Sequence, residues 1–463
     1  MAGKVKQSYK CSECGNVTAR WFGRCPECQS WGTLEESGGG SAALRSLTAG
    51  AVSAPAKPIR QVDVEAARAR PTGVSELDRV LGGGLVPGSV VLLAGEPGVG
   101  KSTLLLEVAS KFADADRKAL IVTGEESASQ VRLRAERTGA LAPSLYLASE
   151  TDLSALIGHV DAVRPGLLVV DSVQTLASPT VDGSAGGITQ VRAVAAAVIA
   201  LAKERGIAAV LVGHVTKDGS IAGPRMLEHL VDVVLHFEGD RHSTLRMVRA
   251  IKNRYGAADE VGCFEMVDDG IRGLADPSGL FISDRKDTVE GTCITIAVEG
   301  RRPIPTEVQA LTNPSQIPSP RRSVSGLDSS RVAMSLAVLA RSGYPLGDRD
   351  VFVATVGGVK VTEPAADLAI ALALASDLRS KPLPPSLVAF GEVSLAGDIR
   401  RVTGVSRRLT EAARMGFKTA IVPPGTGKAP AGLRVVEVRS LREALLAAGL
   451  PARPGAGAGS ATG

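Results

Sequence analysis

Three clusters of residues in this chain have types and spacings that can do chemistry. The first is Gly95-Glu96-Pro97-Gly98-Val99-Gly100-Lys101-Ser102-Thr103, which follows an apolar run and opens a helical stretch. Glycines let backbone N–H groups turn inward around a phosphate, and the helix N-terminus that follows favours its negative charge. In such a loop Lys101 reaches the β- and γ-phosphates of ATP, and the Ser102 hydroxyl sits on Mg2+. A carboxylate must complete the metal site. Leu167-Leu168-Val169-Val170-Asp171 is an apolar strand ending in one. A strand-end Asp is by itself an ordinary helix cap; beside a phosphate loop, Asp171 reads as the magnesium ligand. Glu125 and Glu126 follow another apolar run. One of the pair, Glu125 by preference, is expected to orient the attacking water, although acids also suit a first helical turn.

The second cluster is Cys11-Ser12-Glu13-Cys14 with Cys25-Pro26-Glu27-Cys28. Two such knuckles bring four thiolates to one Zn2+ and leave no open position, so the site is structural. A segment this short cannot bury enough apolar surface to fold without the metal. Trp21 and Trp31 are expected to pack on this ribbon. The other cysteines, Cys263 and Cys293, stand alone, the pattern of a reducing compartment rather than a disulfide framework.

The third cluster is Lys252-Asn253-Arg254-Tyr255-Gly256, with Gly213-His214-Val215-Thr216-Lys217-Asp218-Gly219 upstream of it. A basic hairpin turn would account for the former, and a satisfied strand-end histidine for His214.

These residues need elements to hold them. Apolar runs at 90–94, 119–123, 145–148, 167–170, 208–212 and 233–237 alternate with helical patterns at 101–113, 129–138, 153–163 and 188–205. Such alternation predicts a parallel sheet covered on both faces. Helices at 332–341, 364–375 and 406–415 and strands at 351–356, 387–392 and 419–422 predict a further α/β region. The expected division is a zinc ribbon at 1–34, a Gly/Ser/Ala/Pro linker at 35–60, an ATPase region at 61–278, a second α/β region at 279–450 and a disordered tail at 451–463. The Pro/Ser-rich stretch at 313–320 is either a linker or a loop.

With 44% hydrophobic and 22% charged residues, the chain is globular rather than disordered. A net charge of +5 permits a polyanion partner without demanding one. There is no secretory h-region, and no apolar run near the ~20 residues a bilayer span needs. The expected location is the cytoplasm, with no membrane partner.

The ribbon, the phosphate loop, the His214 segment and Lys252–Gly256 together resemble the bacterial RadA/Sms DNA-repair proteins over nearly the whole chain. RecA itself lacks the Lys252–Gly256 motif, which usually reads Lys-Asn-Arg-Phe-Gly; Tyr255 here keeps the ring and both cations. The resemblance implies a RecA-like motor that hydrolyses ATP on single-stranded and branched DNA in recombinational repair, promotes branch migration as a homo-hexamer, and works alongside the RecA recombinase. Lys252 and Arg254 would reach the nucleotide, or the next subunit's nucleotide, as cationic fingers. His214 would sense the γ-phosphate. The segments 178–190 and 217–225 match the two DNA-binding loops of the RecA class, with Lys217 and Arg225 against the backbone. Neither segment holds an aromatic for base stacking.

The last region resembles the Lon-type peptidase domain, whose Ser is activated by a Lys. The matching positions hold Ala365 and Ser406, which supply neither nucleophile nor base. The resemblance implies an inactive scaffold for assembly or DNA contact through Arg400, Arg401, Arg407 and Arg408. The fold class is therefore α/β: ribbon, RecA-like P-loop core and Lon-protease-like domain. Two alternatives are an ATP-dependent protease, opposed by Ala365, and a KaiC-like signalling ATPase, which explains neither the ribbon nor Lys252–Gly256.

Overall fold

The computed structural model describes residues 9–36, 56–114, 116–214, 227–239, 243–282 and 288–451. Residues 1–63 and 64–463 form two compact units.

In the first unit, β1 (Tyr9–Cys11), β2 (Val17–Thr18) and β3 (Leu34–Glu36) form an antiparallel sheet in the order β2-β1-β3. Its buried core is Cys11, Cys25 and Leu34, with Tyr9 against it. So small a core buries too little apolar surface to hold the segment folded by itself. The tryptophans do not join it. Trp21 is 59% and Trp31 76% exposed, so they lie on the ribbon's surface beside Gly23 and not in its core.

The second unit begins with helix α1 (Ser75–Leu81) and builds a nine-stranded sheet. The strands are β4 (Val90–Gly95), β5 (Ala119–Thr123), β6 (Leu145–Ser149), β7 (Leu167–Asp171), β8 (Ala208–His214), β9 (Val233–Gly239), β10 (Leu245–Asn253), β11 (Val261–Val267) and β12 (Gly270–Gly273). Their order is β12-β11-β10-β9-β4-β8-β7-β5-β6. The pairs from β9 to β6 are parallel, and β10 to β12 continue as an antiparallel edge. Alternate residues of a strand face opposite sides. Accordingly Val91 and Leu93 of β4 pack with α1, α2 (Lys101–Phe112) and α3 (Ala128–Thr138). Val90 and Leu92 pack with α4 (Leu153–Val163) and α5 (Ile188–Arg205). Burial on both faces is what made these strands continuous apolar runs.

A seven-stranded sheet follows. Its long hairpin, β13 (Thr292–Glu299) with β14 (Arg302–Pro314), is flanked by β15 (Arg322–Ser325) and β16 (Arg349–Thr355) on one side. On the other lie β17 (Leu387–Ala389), β20 (Thr419–Val422) and β21 (Arg434–Glu437); β18 (Glu392–Val393) pairs with β19 (Ile399–Arg400) separately. In the 313–320 stretch, Asn313 and Pro314 end β14 and the rest is a loop leading to β15 of the same sheet. Pro364 heads a short 3-10 turn that leads into the helix Asp367–Leu378, buried from Asp367 through Ser376.

The change of sheet near residue 278 is not a gap between cores. Leu245 and Cys263 of the first sheet share a core with Phe281, Val308 and Leu372. Across this seam, Arg302 pairs with Glu76 of α1 while both are almost fully buried. Glu76 also accepts from Cys263 N at 2.9 Å, and Arg302 donates to the Ala275 and Leu274 carbonyls at 2.8 and 3.1 Å. A buried ion pair survives desolvation only with such a full set of partners.

Candidate nucleotide and metal sites

Sheet order assembles the first site. At the C-terminal edge, Gly95 of β4 lies opposite His214 of β8, and Asp171 of β7 opposite Thr123 of β5. Four distant segments of sequence thereby end side by side, at the edge where open α/β sheets bind ligands. The loop between β4 and α2 needs its glycines: a Cβ on Gly95 would lie 2.5 Å from the Phe237 carbonyl oxygen, and Gly100 has φ +111°.

Lys101 is 4% exposed, and its Nζ donates to the Gly95 and Glu96 carbonyls at 2.8 and 2.9 Å. Burial lowers its pKa, while the Asp171 and Glu125 carboxylates oppose that shift. The ammonium is thus already inside the loop, held by neutral dipoles, where an incoming phosphate would be a far stronger partner. Asp171 takes a hydrogen bond from Ser102, yet burial raises its pKa. Its Oδ1 is buried without a hydrogen-bond partner among the described residues. An orphaned carboxylate oxygen beside Ser102 fits a site built for a divalent cation, and Ser102 and Asp171 are the residues that would hold Mg2+.

The two acids after β5 diverge. Gly124 N donates to the Asp171 carbonyl at 3.0 Å, and the Thr123 hydroxyl accepts from the N–H groups of Glu125 and Glu126. This turn aims Glu125 at the site, where its Oε1 lies 2.7 Å from His214 Nε2. That hydrogen bond is the main reason its pKa is pushed down to about 2. Glu126 instead pairs with Arg134 of α3. Carboxylate and imidazole atoms of Glu125, Asp171 and His214 all lie within 4.8 Å of one another.

Lys252 and Arg254 are elsewhere. The end of β10 pairs with the start of β9, so the motif sits at the N-terminal edge of the sheet. That is a full strand, ~16 Å, from the phosphate loop. There Lys252 Nζ donates to the Glu228 and Val231 carbonyls, each at 2.8 Å. Arg254 pairs with Asp232 at 2.9 Å, and Asp232 in turn accepts from Val90 N. Within its own chain, then, the motif is engaged at the opposite sheet edge and neither cation is brought to the phosphate loop.

A residue that sequence reasoning missed touches the loop instead. Arg246 of β10 donates to the Val99 carbonyl at 3.0 Å. Beside it, a cleft of about 430 Å³ runs from Glu96 and Val99 to Lys360. In its wall, Arg249 links Glu238 at 3.7 Å and Glu299 at 2.8 Å. No local motif marks Arg246; only the antiparallel edge, which has no signature of its own, brings it there.

Lys217 and Arg225 lie outside the described residues. The 178–190 segment is held by Gln190, whose Oε1 accepts from Ser178 N at 2.8 Å and whose Nε2 donates to the Gly183 carbonyl at 3.2 Å. It contains no Lys or Arg.

In the ribbon, both knuckles repeat one pattern. Gly15 N donates to Cys11 O and Gln29 N to Cys25 O, and both Gly15 and Gln29 are left-handed. The Sγ atoms of Cys11 and Cys28 are 3.6 Å apart and those of Cys14 and Cys25 3.7 Å. Tetrahedral Zn–S bonds of ~2.3 Å require sulfurs ~3.8 Å apart, so Cys11, Cys14, Cys25 and Cys28 fit zinc. The protein should therefore carry one zinc per chain. Cys25→Ala should release it and unfold only the ribbon, checked by metal analysis together with ATPase assay.

Ala365 is buried and Ser406 exposed. What ties their two segments together is Arg408, fully buried, forked onto Glu363 at 2.8 and 2.6 Å. Arg408 is thus a packing residue rather than the expected DNA contact. Arg400 and Arg407 are exposed, while Arg401 bonds the Pro424 carbonyl at 3.1 Å.

Residues 55–220 match the family model described as AAA domain, residues 9–36 the Rubredoxin metal binding domain, and residues 325–426 the Subunit ChlI of Mg-chelatase. Among curated proteins, the chain is 56% identical over 458 residues to the DNA repair protein RadA of Mycolicibacterium smegmatis, covering 96% of this chain and 97% of that one. The proteins of the same name from Mycobacterium tuberculosis and Pseudomonas aeruginosa are 54% and 46% identical, over 95% and 96% of this chain and 93% and 98% of theirs.

Proposed function

The chain belongs to the RadA family of DNA repair proteins, and from that premise we propose that it is a DNA-dependent ATPase that moves on single-stranded DNA and remodels branched recombination intermediates. The observation that carries the reading is the convergence of Lys101, Ser102, Asp171, Glu125 and His214 on one sheet edge. Lys101 neutralises charge developing on the β- and γ-phosphates. Ser102 and Asp171 would hold Mg2+, which would supply positive charge to the phosphate oxygens. Glu125 orients the attacking water and, ionised well below neutral pH, stays an acceptor throughout. His214 occupies Glu125 and lies where a γ-phosphate would compete for it, which suits a sensor.

The placement of Lys252 and Arg254 at the far sheet edge supports a ring, a homo-hexamer, in which one chain's cations serve the next chain's nucleotide. Lys217 and Arg225 contact the DNA backbone, and the RecA recombinase is the partner that supplies branched substrates. The Lon-like region, with Ala365 in place of a nucleophile, acts as scaffold and cleaves no peptide. No described helix is long and apolar enough to cross a membrane, and the proposed location is the cytoplasm. The test is ATP turnover and unwinding of forked DNA, with and without added single strands. Turnover stimulated severalfold by DNA is expected; turnover indifferent to DNA would favour a signalling ATPase.

A further inference from the structure

The ribbon exposes what its core does not use. Trp21, Phe22 and Trp31 are 59%, 47% and 76% exposed, although aromatics are only 3% of the chain. They are not scattered. A Cβ built on Gly23 would lie 3.6 Å from the Trp31 ring and 3.9 Å from the Trp21 ring, so both indoles border one point. The Arg24 guanidinium lies 5.9 Å over Trp31 and is held by the Gln29 backbone carbonyl at 2.6 Å and its side-chain oxygen at 2.9 Å. A contiguous aromatic surface of this kind in a small module marks a binding face.

Charge decides between occupants. The run Arg20-Trp21-Phe22-Gly23-Arg24 interleaves cations with rings, and no acid lies between Cys14 and Cys25. Open π-faces beside guanidinium groups match bases and phosphates at once, with no need for sequence readout. The 178–190 segment has neither aromatic nor cation, so it cannot supply stacking. We propose that the Trp21–Trp31 face of the ribbon is a stacking platform for the bases of single-stranded DNA. This rests on the DNA-dependent reading above and locates where the bases are gripped.

The chain's two tryptophans are both on this face, so its intrinsic fluorescence reports on the platform directly. The full chain is titrated with an oligothymidylate of about 20 nucleotides and with an abasic strand of equal length. Oligothymidylate should quench the tryptophans and bind roughly 5- to 50-fold more tightly than the abasic strand. The double variant Trp21→Ala/Trp31→Ala should bind both strands with the same weak affinity, whereas Trp31→Phe keeps most of the difference. One zinc per chain in each variant shows that the ribbon is folded. Unquenched tryptophans at saturating DNA, or equal affinity for both strands, would overturn the platform. So would a double variant that keeps its DNA affinity but loses a protein partner. If oligothymidylate quenches but does not stimulate ATPase, the DNA-motor reading fails while the platform stands.

Discussion

Lys101→Ala is expected to slow ATP hydrolysis by ~10³-fold or more, with or without DNA, because the transferring phosphoryl group loses its main side-chain cation. The structure adds a stability side to this. Lys101 is buried, and burial lowers its pKa, so the folded state bears a desolvation cost that the Gly95 and Glu96 carbonyls and the nearby Asp171 and Glu125 carboxylates offset in the absence of nucleotide. Removing the ammonium should therefore leave the melting temperature of the nucleotide-free protein within a few degrees of its original value. The rise in melting temperature on adding ATP and Mg2+ should largely disappear. Steady-state turnover and thermal melts with and without nucleotide check both halves. Full turnover in a clean Lys101→Ala preparation would refute the phosphate-loop assignment, while a collapsed apo protein would show that the lysine is needed for folding.

Loss of the far-edge cations should be nearly as severe. Lys252→Ala is expected to bind ATP almost normally and yet lose most turnover, on the order of 10²-fold or more, if the cation acts on a neighbour's phosphates. Lys252 Nζ is turned to the Glu228 and Val231 carbonyls and not to its own phosphate loop, so complementation is the measurement that separates a neighbouring-chain role from a same-chain one. Mixing Lys252→Ala with Lys101→Ala chains should restore part of the ATPase, because some interfaces then pair an intact loop with an intact finger. Lys252 also holds the Glu228 and Val231 carbonyls, so thermal melts must show the variant folded. Arg254, paired with Asp232 but more than half exposed, should behave the same way. Mixed assemblies that form, shown by co-purification of differently tagged chains, but regain no activity would end the trans reading. Lys252 would then be a structural tie at the sheet edge.

Much of this protein could be read from local chemistry, and the reason is locality itself. The phosphate loop, the CxxC pairs and the apolar runs are each complete within a few residues, because a Gly-rich turn, a metal knuckle and a buried parallel strand are determined by their own neighbours. The strand ends at Asp171 and His214 and the helices α4 and α5 fell where their apolar periodicity put them. The assignment of Ala365 and Ser406 to the positions of a Ser–Lys pair rests on the sequence resemblance alone. What required the tertiary structure was everything that depends on which strand lies next to which. Glu125 and Glu126 are adjacent acids after one strand; only the turn after β5 and the position of β8 send the first to His214 and the second to Arg134. Lys252 looks like a finger in sequence, and the antiparallel pairing of β10 places it a strand's length from its own loop while bringing Arg246 to Val99. Arg408 looks like a surface cation, and burial against Glu363 makes it a packing residue. Trp21 and Trp31 are expected on the ribbon from sequence, and only the structure shows how much of each ring its small core leaves exposed. Side-chain type determines what a residue can do, and sheet order and burial decide what it meets.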